Sequence, residues 1–231
     1  MAAPVSNLLL ESLPSGYRER LCAQMEAIAL PAETALYEPE ETPEYAHFMT
    51  SGMASIVAFM SDGVGAEVGI VGREGLVEGL HLLGPAFVPT RGFMQIEGTA
   101  LRMRFADLRK EFAAAEALRR LVLGFVQCQT TTLGQMAACN RLHEVEERLA
   151  RWLLMVSDRV GDDVLSLTQE FLAQMLGTRR SSVTLAARSL QDEGLIEYHR
   201  GRVRIADRAG LENAACECYP VTRRLLTRLY Q

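Results

Sequence analysis

Between residues 52 and 98 the chain carries ten glycines at short intervals. From Phe105 to about Val160 it has no proline and only two glycines, Gly124 and Gly134. Dense glycine cuts a chain into short strands and tight turns, whereas a long stretch without breakers favours helix. The first half follows that rule. An apolar run from Met53 to Met60 ends at Ser61-Asp62-Gly63, a turn signal, and a second from Ala66 to Val71 stops at Gly72. A third, Gly98 to Phe105, alternates Leu101, Met103 and Phe105 with Arg102 and Arg104, so one face is buried and the other wet. Many short strands of this kind predict a small β-barrel or jelly roll, preceded by a short helix from about Tyr17 to Ile28.

Beyond Phe105 the apolar period changes. Leu118, Val122, Phe125, Gln129, Thr132, Met136 and Cys139 recur at alternating steps of four and three. That spacing predicts a long helix whose seam forms a dimer interface, the alternative being a helix packed on its own β-domain. A second helix is expected from about Val145 to Arg159, with Glu144, Glu146 and Glu147 loading its first turn, where the helix dipole favours anions. Arg141-Leu142-His143 marks the break. The expected organisation is α+β: a β sensor domain over 1–115, a dimerisation helix and hinge over 116–143, and a further domain over 144–231 that ends in a helix.

Charge is divided along the chain. The formal net charge is −5, yet residues 1–115 hold eight Arg and Lys against fifteen Asp and Glu. Residues 177–208 hold seven arginines against four acids, and Lys110 is the chain's one lysine. Different partners are expected for the two ends. With 48% hydrophobic and 23% charged residues the composition is that of an ordinary globular protein, and no run approaches the roughly 20 apolar residues of a membrane span. Leu8-Leu9-Leu10 lacks a basic flank, so no signal peptide, no membrane partner and a cytoplasmic location are expected. Five cysteines (Cys22, Cys128, Cys139, Cys216 and Cys218) show no disulfide framework. Cys216 and Cys218 have no partner pair at metal spacing, and His47, His81, His143 and His199 are dispersed. The sequence therefore points to no metal site, and to no enzyme, for it shows no Ser/His/Asp or Cys/His arrangement.

Residues 168–188 are the most informative. Thr168 can cap a helix, Ala173 is small where a second helix would cross, and Gly177 falls where a turn needs positive φ. Leu172, Leu176, Val183 and Ala186 supply a core between two crossing helices. The second helix, about Arg179 to Glu193, opens with Arg179, Arg180, Ser181, Ser182 and Thr184, and Arg188 follows one turn on. Arginine grips guanine bidentately and hydroxyls reach phosphates or base edges. Glu197 to Ile205 reads as a hairpin with Arg200-Gly201 at its turn and Arg202 and Arg204 beyond, a wing suited to the phosphate backbone. Thr168, Gln169, Arg179, Arg180, Ser181, Ser182, Thr184, Arg188, Arg200 and Arg202 are the candidate contacts to double-stranded DNA.

With these elements in this order, the chain resembles the Crp/Fnr family of bacterial transcription regulators over nearly its whole length. The resemblance implies a cyclic-nucleotide-binding-like jelly roll, a long dimer helix, a C-terminal winged helix-turn-helix, a homodimer on a palindromic operator, and RNA polymerase as a partner. In the family the recognition helix opens Ser-Arg-Glu with another Arg four residues after the Glu. Here Arg180 is kept, while Ser181 and Leu185 stand at the other two places, which implies a different half-site. For a cyclic nucleotide, the matching residues are Glu78 at the ribose and Arg91-Gly92 at the phosphate. Val77 replaces the glycine before the Glu, the intervening loop is longer, and Pro85 and Pro89 stiffen it. The adenine-reading pair falls on Leu133 and Gly134, with Thr131 and Thr132 as neighbouring substitutes. An effector other than cyclic AMP, its identity open, is the expectation; the alternatives are a constitutive DNA-binding dimer and a cyclic-AMP-responsive one. Iron–sulfur members of the family carry an N-terminal cysteine cluster, whereas only Cys22 precedes residue 128 here.

Overall fold

The computed structural model describes residues 6–84 and 87–231. Met1 to Val5 and the Pro85 singled out above lie outside them. Residues up to Val57, Gly69–Thr130 and Leu226–Gln231 form one compact unit; Ala58–Val68 and Thr131–Leu225 form a second.

The first unit begins with α1 (Leu8–Glu11) and α2 (Ser15–Cys22). Asn7 caps α1 through its side-chain oxygen, and its amide donates to the Met49 and Gly75 carbonyls, so one buried side chain ties three segments together. Strands β1 (Glu26–Leu30), β2 (Ala35–Tyr37), β3 (Tyr45–Met49), β4 (Met53–Phe59), β5 (Gly65–Val71), β6 (Thr90–Ile96) and β7 (Gly98–Arg104) follow, the end of β4 and the start of β5 (Ala58–Val68) belonging to the second unit. They make two sheets, in the orders β1-β7-β3 and β2-β6-β4-β5, from the many short strands that the glycine spacing predicts. The leading helix is shorter than expected. It ends at Cys22, and Glu26–Leu30 is a strand, because Glu26 to Leu30 pair antiparallel with Arg102 to Gly98. That pairing is long-range and outweighs local helix propensity.

Helix α3 (Phe105–Ala114) leads into α4 (Glu116–Leu142), the long helix of the expected length. Its seam is used differently from the sequence reading. Leu118, Val122 and Phe125 are fully buried in the first unit's own core, with Phe48, Leu76, Met94 and Leu108. A Cβ placed on Gly75 would stand 2.0 Å from the Phe125 ring, so the backbone at residue 75 lies directly against it. Farther along, Gln129 and Thr132 are half-buried, and Met136 packs against Cys139, Cys216 and Cys218. The assignment of Leu118, Val122 and Phe125 to a dimer interface is thus corrected. Heptad spacing defines an apolar stripe and leaves open what covers it.

The second unit contains α5 (Val145–Val160), β8 (Val164–Ser166), α6 (Gln169–Met175), α7 (Arg180–Asp192), β9 (Ile196–His199), β10 (Arg202–Ile205), α8 (Arg208–Ala214) and the start of α9 (Cys218–Leu229). Helix α4 ends one residue before His143, and Glu144 opens α5 with its N–H bonded to Glu147 Oε2 at 2.9 Å. Helix α5 is almost entirely buried. Leu149, Leu153, Leu154 and Val156 are sealed from solvent, and Leu172, Val183 and Leu190 of α6 and α7 are equally buried. Strand β8 before the helix pair and β9 and β10 after it make a three-stranded sheet in the order β8-β10-β9. No helix among the described residues is long and apolar enough to cross a membrane.

Candidate nucleic-acid interface

The helix-turn-helix is built from local signals. The Thr168 hydroxyl accepts the Phe171 N–H at 3.2 Å and caps α6. Ala173 is buried and its carbonyl receives the Thr178 N–H at 2.9 Å, while Gly177 turns the chain at φ +57. A side chain at that φ would be strained, which accounts for the glycine. Helix α7 spans Arg180–Asp192, one residue inside the expected bounds at each end, with Arg179 at its N-cap.

Two stripes divide α7. Val183, Ala186, Ala187 and Leu190 are buried; Arg180, Ser181, Thr184, Leu185 and Arg188 are exposed, with Ser182 between the two. The exposed stripe follows the i, i+4 ridge of a helix, so its side chains project together. The Thr184 hydroxyl donates to Gln169 Oε1 at 2.7 Å, which fixes the first residue of α6 against the middle of α7. Tyr198, on β9, donates its phenolic O–H to the Leu167 carbonyl at 2.8 Å, and its N–H donates to Gln191 Oε1 at 2.8 Å. Burial pushes the Tyr198 phenol up to about 12, so it remains a donor at neutral pH. Arg200 (φ +47) and Gly201 (φ +76) make the left-handed hairpin turn between β9 and β10.

These groups line one groove of about 490 Å³, bordered by Thr168, Gln169, Arg180, Thr184, Arg188 and Arg200. Six of the ten candidate DNA contacts meet there. Arg179, Ser181 and Arg202 are exposed outside its lining. The acids near the groove bind its arginines loosely: Arg180 to Glu170 is 3.8 Å and Arg188 to Asp192 is 3.7 Å, all four side chains exposed. Such pairs contribute little and exchange readily for a phosphate. Arg204 and Arg208 differ. Arg204 is paired with Glu197 across the wing, and Arg208 is paired with Asp158 and bonded to Ser157 and Tyr219. These two arginines of the basic segment stand outside the groove lining.

Sequence reasoning passed over Leu185, 70% exposed in the middle of this stripe. Its signal was present, for it stands where the resembling family has an arginine. An exposed apolar side chain between two arginines is suited to a thymine methyl.

The residues proposed for an effector are placed as follows. Glu78 is fully buried; one oxygen accepts the His47 backbone N–H and the other meets His47 Nδ1, both at 2.7 Å. Arg91 donates to Glu38 Oε1 at 3.1 Å and lies over the Phe93 ring. Gly92 lacks a side chain because the Tyr37 ring fills that space: a Cβ would sit 2.3 Å from it. Thr131 is exposed and Thr132 half-buried.

A further set of side chains corrects the sequence reading of dispersed ligands. Cys139, His143, Cys216 and Cys218 come together, one ligand atom from each lying within 4.8 Å of the others.

Residues 147–214 match the model of the Crp-like helix-turn-helix domain. No curated protein matches the sequence. Solved structures do. The c-di-GMP-responsive global regulator CLP of Xanthomonas campestris is 19% identical, covering 83% of this chain and 99% of its own, with a TM-score of 0.67. FixK2 from Bradyrhizobium japonicum is 15% identical over 83% of this chain and 98% of its own, at 0.70. A CRP-family transcriptional regulator from Thermus thermophilus is 23% identical over 83% of this chain and 96% of its own, at 0.66. The chain therefore has the fold of the Crp/Fnr transcription regulators, the family its sequence resembles, and carries a Crp-like helix-turn-helix domain at residues 147–214.

Proposed function

We propose that the protein is a cytoplasmic, dimeric transcription regulator that reads a palindromic operator with α7 and grips its backbone with the wing. The observation that carries this reading is the groove in which Thr184 meets Arg180, Arg188 and Arg200, with Arg180 and Arg188 only loosely paired. Arg180, Thr184 and Leu185 are the base-reading residues, and Arg200 and Arg202 take phosphates. RNA polymerase is the partner through which such a dimer acts on transcription.

The dimer face proposed for α4 is its exposed stripe. Leu123, Gln127, Thr130, Gly134, Ala137 and Arg141 are exposed at alternating steps of four and three, and Leu133 is 43% exposed beside them. Small residues at 130, 134 and 137 allow two helices to approach closely.

The effector is a signal other than cyclic AMP. Complete burial of Glu78 against His47 supports this, since a ribose hydroxyl reaches the carboxyl group only if its surroundings open. The same observation favours a second reading, a dimer that binds DNA constitutively.

Selection of bound duplexes from a random pool tests the operator. A palindrome with half-site centres one helical turn (about 34–36 Å) apart, or a multiple of it, is expected. Enrichment of an isolated half-site, or of no sequence, would contradict the proposal.

A further inference from the structure

Two sequence-distant pairs meet in the second unit. Cys139 lies in the last turn of α4, and His143 follows four residues later, its N–H still bonded to the Cys139 carbonyl at 3.0 Å. The i, i+4 relation puts both side chains on one face. Cys216 and Cys218 flank Glu217 at the start of α9. The Cys139 and Cys216 sulfurs are 3.5 Å apart, and Cys218 Sγ is 3.6 Å from His143 Nδ1. All three thiols are buried, and the His143 side chain is 17% exposed.

We infer that Cys139, His143, Cys216 and Cys218 form a mononuclear, tetrahedral site for a zinc-like divalent ion, held by three thiolates and the imidazole Nδ1. The distances carry the assignment. Ligands at about 2.3 Å (S) and 2.0 Å (N) around one tetrahedral ion lie about 3.5–3.8 Å from one another; the Cys139–Cys216 and Cys218–His143 distances have that spacing, and all four ligand atoms lie within 4.8 Å of one another. An iron–sulfur cluster has several irons between its thiolates and would hold them farther apart.

The surroundings fit the same occupant. With Nδ1 facing the thiols, His143 Nε2 is 3.1 Å from Glu217 Oε2, the carboxylate–imidazole contact that orients a ligating histidine. Gln135, one turn before Cys139, donates its amide to Cys218 Sγ at 3.1 Å. Three thiolates on a divalent ion leave one net negative charge, and the buried guanidinium groups of Arg148 and Arg151 lie within electrostatic reach of Cys139. Among the described residues the Nε of each has no hydrogen-bond partner. The ion would clasp the end of α4 to the start of α9. This inference does not rest on the DNA-binding reading.

The test is a Co²⁺ titration of the full-length, reduced, chelator-treated protein, followed by displacement with Zn²⁺. One Co²⁺ per chain is expected, with thiolate-to-cobalt charge-transfer absorption and the intense visible bands of tetrahedral cobalt. Zn²⁺ should abolish both and raise the unfolding temperature. Cys22→Ser and Cys128→Ser should leave the spectrum intact, Cys218→Ser should lower its thiolate charge-transfer intensity, and Glu217→Gln should weaken affinity by about 10–100-fold. A wild-type protein without thiolate charge-transfer absorption at saturating Co²⁺ overturns the site, whatever the variants do. So does a thiolate charge-transfer intensity left unchanged by both Cys139→Ser and Cys218→Ser.

Discussion

The Phe125 ring occupies the space that a side chain on residue 75 would need, 2.0 Å from where a Cβ on Gly75 would stand. Through that contact α4 closes the core of the first unit, and the ring is only 1% exposed. A methyl at residue 75 has nowhere to go unless the ring moves. Gly75→Ala should therefore destabilise the protein by about 1–3 kcal/mol, the usual cost of overpacking a filled core. Urea unfolding checks it, and unchanged stability would contradict the packing described.

The two stripes of α4 should respond differently to substitution. Glutamate at both Leu123 and Ala137 should yield a folded monomer by sedimentation, because both positions lie on the exposed stripe. Leu118→Ala should keep the oligomeric state and cost about 2–5 kcal/mol of stability, since Leu118 is fully buried. A dimer that survives the double substitution would move the interface elsewhere.

On the DNA face, Arg180→Ala should relax specificity and cost about 1–3 kcal/mol on the preferred site. Arg202→Ala should weaken all sequences alike and flatten the salt dependence. Leu185→Ser should lower discrimination at one base pair with little change in the salt slope. Competition binding at two salt concentrations separates these patterns. Identical behaviour of the two arginine variants would end the division between base reading and backbone grip.

Acid should loosen the β-domain through His81. Burial disfavours its imidazolium, so its folded-state pKa lies below the ordinary 6.5. The unfolded chain then takes up the proton first. Stability from this group is complete above about pH 6.5 and is lost as pH falls toward the folded value. Between about pH 7.5 and 5.5 the wild type should lose more unfolding free energy than His81→Phe. Parallel losses in the two proteins would show that His81 does not drive the acid response.

The helix-turn-helix was legible in the sequence because its determinants are local. Thr168, Ala173 and Gly177 each act on residues within a few positions, and the observed α7 differs from the expected one by a residue at each end. The misread elements are those settled at long range. Glu26–Leu30 became a strand because Gly98–Arg102 pairs with it, and Phe125 turned inward because Gly75 left room. Cys139 and Cys216 are 77 positions apart, so spacing motifs gave no sign of their meeting. Glu78 was the right residue type for a ribose, but its engagement by His47 depends on two segments 31 positions apart.

The central claim is specific DNA binding by the groove between α7 and the wing. Fluorescence anisotropy with the DNA upstream of the chain's own gene, against random duplex and with or without cyclic AMP, tests it most directly. Saturable binding to the upstream DNA, unmoved by the nucleotide and lost in Arg180→Ala, is the predicted result. Equal binding to both duplexes would contradict the claim of specific reading, and binding only with cyclic AMP would overturn the effector assignment.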